Sequence, residues 1–139
     1  MNIFVMILYW VFMIIFWRFM NNIIKFAGIA VYFLFLFCYF GTFLVNPGYP
    51  KKSETKLIGE TGMKFCNICQ IWVYRGKGYR HCNECNLCIE GFDHHCPWTG
   101  KCIGNGNKYW FNFFLFTVFL LMIYFTFALV FSLEHFTKK

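Results

Sequence analysis

The stretch GFDHHCPWTGKC, residues 91–102, contains an aspartate, two adjacent histidines and two cysteines. Thiolates and imidazoles are preferred ligands of zinc, whereas a thiolate beside an imidazole is also a nucleophile with its base. The same residue types therefore indicate two chemistries, metal binding and covalent catalysis. Choosing between them requires an account of every other cysteine and histidine in the chain.

Upstream of this stretch the cysteines are spaced like zinc ligands. The ordered pattern is Cys66-x2-Cys69, His81-Cys82-x2-Cys85-x2-Cys88, His94-His95-Cys96 and Cys102. Two residues between cysteines form a zinc knuckle, because a tight turn brings both sulfurs to one tetrahedral ion. Structural zinc takes four ligands, so the ten candidates predict two zinc ions and leave two residues over.

The two zinc sites are expected to interleave along the chain. Adjacent side chains of an extended segment point to opposite sides, so His81 and Cys82 should bind different ions. The first site is then predicted to contain Cys66, Cys69, His81 and Cys88. The second begins with Cys82 and Cys85 and takes two ligands from further along the chain.

Two completions of the second site stay open on spacing alone. If His95 and Cys102 close it, the residues left are His94 and Cys96, which are two apart and share one side of an extended chain. If Cys96 is a ligand instead, it is inert and Cys102 is spare. Only the first completion leaves a thiol with a base beside it.

The elements that carry these residues are unusual in composition. Of the 139 residues, 59% are hydrophobic and only 14% are charged, which excludes an ordinary soluble domain. Residues 1–17, 26–45 and 109–133 contain no Asp, Glu, Lys or Arg. A helix needs about 20 apolar residues to cross a bilayer, so these runs are span candidates. For the first run a cleaved signal peptide is the alternative, but a basic leader and a small-residue cleavage site are missing.

These runs define the predicted organisation. Spans are expected at 1–20, 26–45 and 109–133, with a short non-cytosolic turn at 21–25 and a tail at 134–139.

Residues 46–108 form a polar module with nine Lys or Arg against five acids. Basic loops stay on the cytoplasmic side, so the module is placed in the cytosol. The fold class is an α-helical integral membrane protein with a double-zinc module inserted between spans 2 and 3. Because cytosolic thiols stay reduced, the module's seven cysteines indicate metal binding or catalysis rather than disulfides.

The whole ordered motif resembles a known family. From Cys66 to Cys102, continuing to Asn107 and Phe111, it is similar to the cysteine-rich domain of the DHHC protein S-acyltransferases, the palmitoyltransferases. The resemblance covers about a third of the chain residue by residue. It implies zinc sites at Cys66, Cys69, His81, Cys88 and at Cys82, Cys85, His95, Cys102, and a catalytic group of Asp93, His94 and Cys96.

The resemblance also implies a reaction. Cys96 is expected to take a long-chain acyl group, usually palmitoyl, from palmitoyl-CoA or another acyl-CoA, and to pass it to cysteines of membrane-associated substrate proteins. Two structural Zn²⁺, acyl-CoA, substrate proteins and membrane lipids are the expected cofactors and partners, at an endomembrane such as the ER or Golgi or at the plasma membrane. Candidates for contact with the CoA phosphates are Arg75, Lys77, Arg80, Lys101 and Lys108.

The chain departs from the family in several places. Two extra residues lie between Cys69 and His81, Asn46 stands where the family has aspartate, and Thr99-Gly100-Lys101 replaces the common stretch before the last zinc cysteine. The Gly76-Lys77-Gly78 segment is predicted to turn a β-hairpin between two strands within residues 71–81. The family's fourth span and its Thr-Thr-x-Glu motif are not found, which predicts weak self-acylation unless another helix joins or the chain is a fragment.

Two other functions compete with acyl transfer. A zinc-stabilised membrane adaptor, or inactive relative, would keep the module and lose the chemistry. A nucleic-acid-binding zinc protein would need an exposed recognition helix or a basic stripe away from the bilayer, so no nucleic acid is expected as partner. Cys38, within the second apolar run, is expected to be a packing residue.

Overall fold

The structure is a computed structural model that describes the backbone of residues 2–50 and 62–137, with side chains from residue 6 onward. It forms two compact units. One contains residues 1–40 and 112–139, and the other contains residues 41–111. The predicted module boundary at residue 46 therefore lies five residues inside the second unit, which also includes the end of the second helix.

Three apolar helices are present in the described residues. Helix α1 spans Asn2–Phe16 and continues into a 3-10 turn at Trp17–Phe19, α2 spans Asn22–Leu44, and α3 spans Lys108–Thr137. At 1.5 Å per residue, the 23 residues of α2 reach about 34 Å, which exceeds the hydrocarbon thickness of a bilayer. Both α2 and α3 are long and apolar enough to cross a membrane, whereas α1 is a shorter apolar helix.

Helix α2 begins four residues before the predicted span. The side-chain oxygen of Asn21 accepts a hydrogen bond from the backbone N–H of Ile24 at 2.9 Å. This is the N-cap arrangement, in which an asparagine side chain satisfies one of the unpaired N–H groups of the first helical turn. Lys25 therefore lies within the helix, and only Met20 and Asn21 separate α2 from the preceding 3-10 turn.

The helical unit is packed through aromatic rings and one close approach to a glycine. The rings of Tyr9 and Tyr32 stack with centroids 4.2 Å apart. A Cβ at Gly28 would lie 2.2 Å from the Tyr124 hydroxyl, so α3 meets α2 where α2 has no side chain. Cys38 is buried, in agreement with the packing role expected for it.

Helix α3 buries one face. Its buried residues recur at intervals of three and four: Phe114, Thr117, Leu121, Tyr124, Ala128 and Ser132. This spacing marks a single stripe along the helix, and the large apolar residues on its other faces are exposed. An apolar exterior is the surface expected of a helix that contacts lipid.

Three antiparallel β-hairpins lie in the part of the second unit that the structure describes. Their strands are β1 Met63–Cys66 with β2 Ile71–Tyr74, β3 Arg80–Cys82 with β4 Leu87–Ile89, and β5 His94–Cys96 with β6 Lys101–Ile103. The predicted hairpin across Gly76–Gly78 is wrong, because β2 pairs with β1 and β3 pairs with β4. The segment is a 3-10 turn, Arg75–Lys77, that ends at Gly78 in the left-handed region with φ of 65° and connects two separate hairpins. The turns of the first two hairpins lie instead inside the cysteine knuckles, and that of the third follows Cys96.

Candidate metal centres and reactive cysteine

The three hairpins share one local design. A cysteine ends the first strand, four turn residues follow, and the partner strand begins directly opposite that cysteine. The directly paired residues are Cys66 with Ile71, Cys82 with Leu87 and Cys96 with Lys101. The last turn residue has a positive φ in each hairpin, at Gln70, Asn86 and Gly100. Because the turns correspond, residues at equal positions can be compared directly.

The first ligand cluster combines the first two hairpins. The turn of β1–β2 contributes Cys66 and Cys69, while β3–β4 contributes His81 and Cys88, which face each other across the strands. The Nδ1 atom of His81 lies 3.1 Å from the Cys69 sulfur and 3.7 Å from the Cys66 sulfur. The Cys88 and Cys69 sulfurs are 3.7 Å apart. The four atoms lie within 4.8 Å of one another.

The second ligand cluster repeats the first, one hairpin further along. The turn of β3–β4 contributes Cys82 and Cys85, while β5–β6 contributes the facing pair His95 and Cys102. The Nδ1 atom of His95 lies 3.2 Å from the Cys85 sulfur and 3.9 Å from the Cys82 sulfur. The Cys102 and Cys85 sulfurs are 3.2 Å apart.

Both clusters fit zinc in geometry and in chemistry. Tetrahedral zinc, with bonds of about 2.3 Å to sulfur and about 2.0 Å to nitrogen, separates its ligand atoms by roughly 3.5 to 3.8 Å. The measured separations lie close to this range. Burial raises the pKa of the Cys88 and Cys102 thiols, and the neighbouring thiols act in the same direction. A dication would counter both effects by stabilising the thiolates.

Cys96 and His94 lie outside both clusters. They are alternate residues of β5, so their side chains share one face of the strand. Cys96 is buried, with 2% of its surface exposed. Cys96 occupies the position that the first knuckle cysteine has in the other two hairpins. The position of the second knuckle cysteine is occupied by Thr99. The Thr99 hydroxyl donates to the Cys96 carbonyl at 3.4 Å.

Asp93 lies between the imidazole of His94 and the ammonium of Lys108. Its carboxylate is 3.6 Å from His94 Nδ1 and 3.2 Å from the Lys108 ammonium. The hydrogen bond from Lys108 lowers the pKa of Asp93 and outweighs the opposing effect of burial, and the charge of Lys108 adds to the shift. The carboxylate is therefore held ionised beside His94. The ring of Phe111 packs edge-on against the His94 imidazole, with the two ring centroids 5.1 Å apart.

Several of the basic residues proposed for phosphate contact have protein partners. Lys108 pairs with Asp93, and Lys77 lies 3.9 Å from Glu90. Arg75 donates to the Met63 carbonyl at 3.1 Å. Lys101 donates to carbonyls at the end of α2. Arg80 is exposed on β3.

Two asparagines have structural roles that their positions in the sequence do not reveal. The fully buried Asn107 donates to the carbonyls of Thr42 and Cys102 at 3.2 and 3.0 Å, and accepts from the Gly104 N–H at 3.0 Å. It ties the last turn of α2 to β6. Its only sequence signal was its place in the motif, which does not reveal a contact 65 residues away.

Asn46 forms a turn just after the end of α2. Its side-chain oxygen accepts hydrogen bonds from the N–H groups of Gly48 and Tyr49, each at 2.9 Å. Either an amide oxygen or a carboxylate oxygen can accept the hydrogen bonds of such a turn. The next carbonyl, of Pro47, accepts from the Gly106 N–H at 3.2 Å, which joins the segment after α2 to the end of the module.

Comparison with known proteins agrees with this architecture. A family model described as DHHC palmitoyltransferase matches residues 59–139, more than half of the chain. The chain belongs to the DHHC palmitoyltransferase family. The membership predicted from the motif is thus confirmed, and the family's membrane-embedded character accords with the two long apolar helices.

Individual relatives extend the match beyond the DHHC module. The chain is 36% identical over 131 residues to "Palmitoyltransferase ZDHHC13" of Homo sapiens, covering 83% of this chain and 20% of that protein. It is 46% identical over 76 residues to "Probable protein S-acyltransferase 7" of Arabidopsis thaliana, covering 54% of this chain and 17% of that protein. The chain thus spans about a fifth of the length of these DHHC relatives.

Proposed function

We propose that the chain is a protein S-acyltransferase that moves a long-chain acyl group, such as palmitoyl, from acyl-CoA to cysteines of membrane-associated proteins through a thioester on Cys96. The observation that carries the proposal is how the cysteines and histidines of the module divide between metal-type clusters and residues outside them. Eight of the ten cysteines and histidines of the module gather in two metal-type clusters, and the two left over are a thiol and an imidazole on one face of β5. Family membership supplies the reaction class.

The proposed roles follow from the contacts of each residue. His94 takes the proton of the Cys96 thiol, and Asp93 fixes the imidazole and stabilises its charged form. The thiolate attacks the thioester carbonyl of acyl-CoA, the bond to the CoA sulfur breaks, and the CoA thiolate leaves and takes up a proton. In the second half, a substrate cysteine thiolate attacks the Cys96 thioester and releases Cys96. One thioester replaces another, so no oxidant or energy source is required.

The two clusters are proposed to bind two structural zinc ions, with ligands Cys66, Cys69, His81, Cys88 and Cys82, Cys85, His95, Cys102. Each ion would join one knuckle turn to the facing His–Cys pair of the next hairpin. The second ion would thereby hold β5 and β6 against the β3–β4 turn. Closed sites with four protein ligands have no open position for substrate, which assigns these ions to folding and leaves the acyl chemistry to protein side chains.

The membrane arrangement is proposed as follows. Helices α2 and α3 cross the bilayer, α1 with its 3-10 turn forms the first span of residues 1–20, and the basic module faces the cytosol. Acyl-CoA combines an anionic head with a chain that prefers hydrocarbon, so a thiol at the end of membrane helices suits it as a donor. An endomembrane or the plasma membrane is the proposed location.

Metabolic labelling with an alkyne fatty acid tests the function. The full chain should acquire a label that hydroxylamine removes, and Cys96→Ser should abolish it, because only a thioester at that position explains both results. Cys38→Ser is the matched control, since Cys38 is a buried cysteine of α2 outside the residues of the module, and it should keep the label. A label that survives Cys96→Ser would contradict the proposal. Absence of label in a chain that retains two zinc ions would favour the zinc-stabilised adaptor.

A further inference from the structure

Lys101 makes a long-range contact that its position in the motif does not predict. Its ammonium donates hydrogen bonds to the carbonyl of Phe43 and, at 2.8 Å, to the carbonyl of Val45. These carbonyls lie at the end of α2, where the last four C=O groups of a helix have no partner within the helix. A cation also interacts favourably with the negative end of the helix dipole. Lys101 therefore caps α2 across 56 residues of chain.

The same lysine lies directly opposite the reactive cysteine. Cys96 and Lys101 are paired across β5 and β6, and side chains of directly opposite residues share one face of an antiparallel pair. His94 lies on that face too, because it is two residues from Cys96. The contact from Lys101 to α2 thus links the face that carries the thiol and its base to the end of a helix.

Comparison of the three hairpins shows why this turn needs such a contact. In the first two, the turn carries two cysteines and belongs to a metal-type cluster. In the third, Thr99 replaces the second cysteine, and the turn belongs to neither of the clusters found among the described residues. The residues corresponding to Lys101 are Ile71 and Leu87, which are apolar and cannot cap a helix.

We infer that Lys101 is a positioning residue for acyl transfer, which fixes the Cys96 turn to the end of α2 in place of the metal that fixes the other two turns. This inference rests on the proposed function. It also gives a physical reason for the departure from the family at Thr99-Gly100-Lys101. A turn anchored at Lys101 holds the Cys96 sulfur in one place relative to the last residues of α2, which belong to the same unit as the turn.

A different role for the same side chain makes a different prediction. If Lys101 contacted the CoA phosphates, its loss would weaken donor binding and raise the half-saturating donor concentration. If it positions the turn, its loss lowers the maximal rate, because a reacting group misplaced by about 1 Å can cost on the order of 100-fold in rate. The two roles are therefore separated by which kinetic parameter changes.

The experiment uses the full chain in lipid nanodiscs with palmitoyl-CoA as donor. The rate of Cys96 thioester formation is measured against donor concentration for the wild type, Lys101→Met and Lys101→Arg, with zinc content and amide hydrogen exchange of residues 94–103 measured in parallel. In Lys101→Met the maximal rate should fall about 10-fold or more with the half-saturating concentration unchanged, and exchange should accelerate. Arginine can donate to the same carbonyls, so Lys101→Arg should restore both.

Leu87→Met is the matched control, because it alters the corresponding position of a hairpin whose turn belongs to a cluster. It should change neither rate nor exchange. If Lys101→Met loses zinc, Lys101→Gln is compared with Lys101→Arg at equal zinc content. An unchanged maximal rate, a rise in half-saturation alone, or no recovery in Lys101→Arg would overturn the inference. A wild type that forms no Cys96 thioester would instead refute the proposed function, and the positioning role with it.

Discussion

Residue type alone does not decide what a cysteine of this module does. Cys66, Cys82 and Cys96 end equivalent strands and open equivalent turns. The first two have a second cysteine three residues on, and a facing His–Cys pair on the next hairpin completes a four-ligand set. Cys96 has Thr99 at that place and a basic neighbour on its own strand instead. These surroundings are the reason for proposing Cys96, and not Cys66 or Cys82, as the nucleophile.

This assignment predicts opposite results for two serine substitutions. Cys96→Ser should keep two zinc ions per chain while losing the thioester, because Cys96 is outside both clusters. Cys82→Ser should lose one zinc, because it removes one of four ligands. Metal analysis of the purified proteins beside acyl labelling measures both effects. Loss of zinc from Cys96→Ser would mean that Cys96 is itself a ligand.

His94 should matter to rate rather than to folding. His94→Ala is expected to slow thioester formation by about 10² to 10⁴, which is the usual contribution of a general base. The imidazole contacts Asp93 and Phe111 and belongs to neither cluster, so zinc content should not change. Single-turnover kinetics with palmitoyl-CoA gives the rate, and a rate equal to the wild type would exclude His94 as the base. His95→Ala is the paired comparison, since it should lose zinc.

At the scale of elements, α2 uses its glycines to admit aromatic rings from α3. A Cβ at Gly41 would lie 2.1 Å from the Trp110 ring, and one at Gly28 would meet Tyr124. Such contacts are far shorter than van der Waals distance, so a methyl group cannot fit without moving a ring. Small residues at helix crossings are a common device where helices pack in membranes.

Gly41→Ala should therefore destabilise the protein by about 1 to 3 kcal/mol, the usual cost of overpacking a filled site. Thermal unfolding in detergent, followed by tryptophan fluorescence, measures the loss. Gly76→Ala is the control, because a Cβ there meets nothing within 4 Å. Equal unfolding temperatures for the two variants would show that Trp110 moves aside without cost.

Asn107 connects helix and hairpin at the same junction. Asn107→Ala leaves the Thr42 and Cys102 carbonyls and the Gly104 N–H without their partner, and each stranded buried group costs on the order of 1 to 3 kcal/mol. Hydrogen exchange should accelerate at the end of α2 and in β6. The exposed Asn83 serves as control, and Asn83→Ala should leave exchange at both places unchanged. Identical exchange in Asn107→Ala would show that water replaces the side chain.

At the scale of the whole molecule, the helical unit and the hairpin unit are stabilised by different means. The helical unit buries aromatic rings, whereas the hairpin unit has strands of three or four residues and small clusters built largely around cysteines. Such short strands bury too little surface to be stable alone. Structural zinc contributes on the order of 10 to 16 kcal/mol of apparent binding energy in small domains.

Chelation should therefore unfold one unit and spare the other. With a strong chelator, amides of residues 62–106 should lose protection while helical circular dichroism largely persists, because α1 and most of α2 and α3 belong to the other unit. Readdition of zinc should restore protection. Simultaneous loss of helical signal and hairpin protection would show that the two units unfold together.

Spacing along the chain predicted the first cluster and half of the second, because knuckle spacing and strand alternation are local properties, and the family resemblance chose between the two completions of the second. The structure brings together the two sets of four that spacing and family resemblance predicted. The apolar runs likewise predicted the three helices, although the start of α2 depended on the Asn21 cap.

Only the tertiary structure decided which strands pair and which residues anchor the turn that follows Cys96. Gly76–Gly78 had the composition of a hairpin turn, but β2 pairs backward with β1 and β3 pairs forward with β4. The contacts of Lys101 and Asn107 with α2 join residues 56 to 65 positions apart, and those of Asn46 and Pro47 bring the segment after α2 to the same junction. Long-range contacts of this kind depend on how a helix end and a hairpin pack, and nothing in local spacing records that.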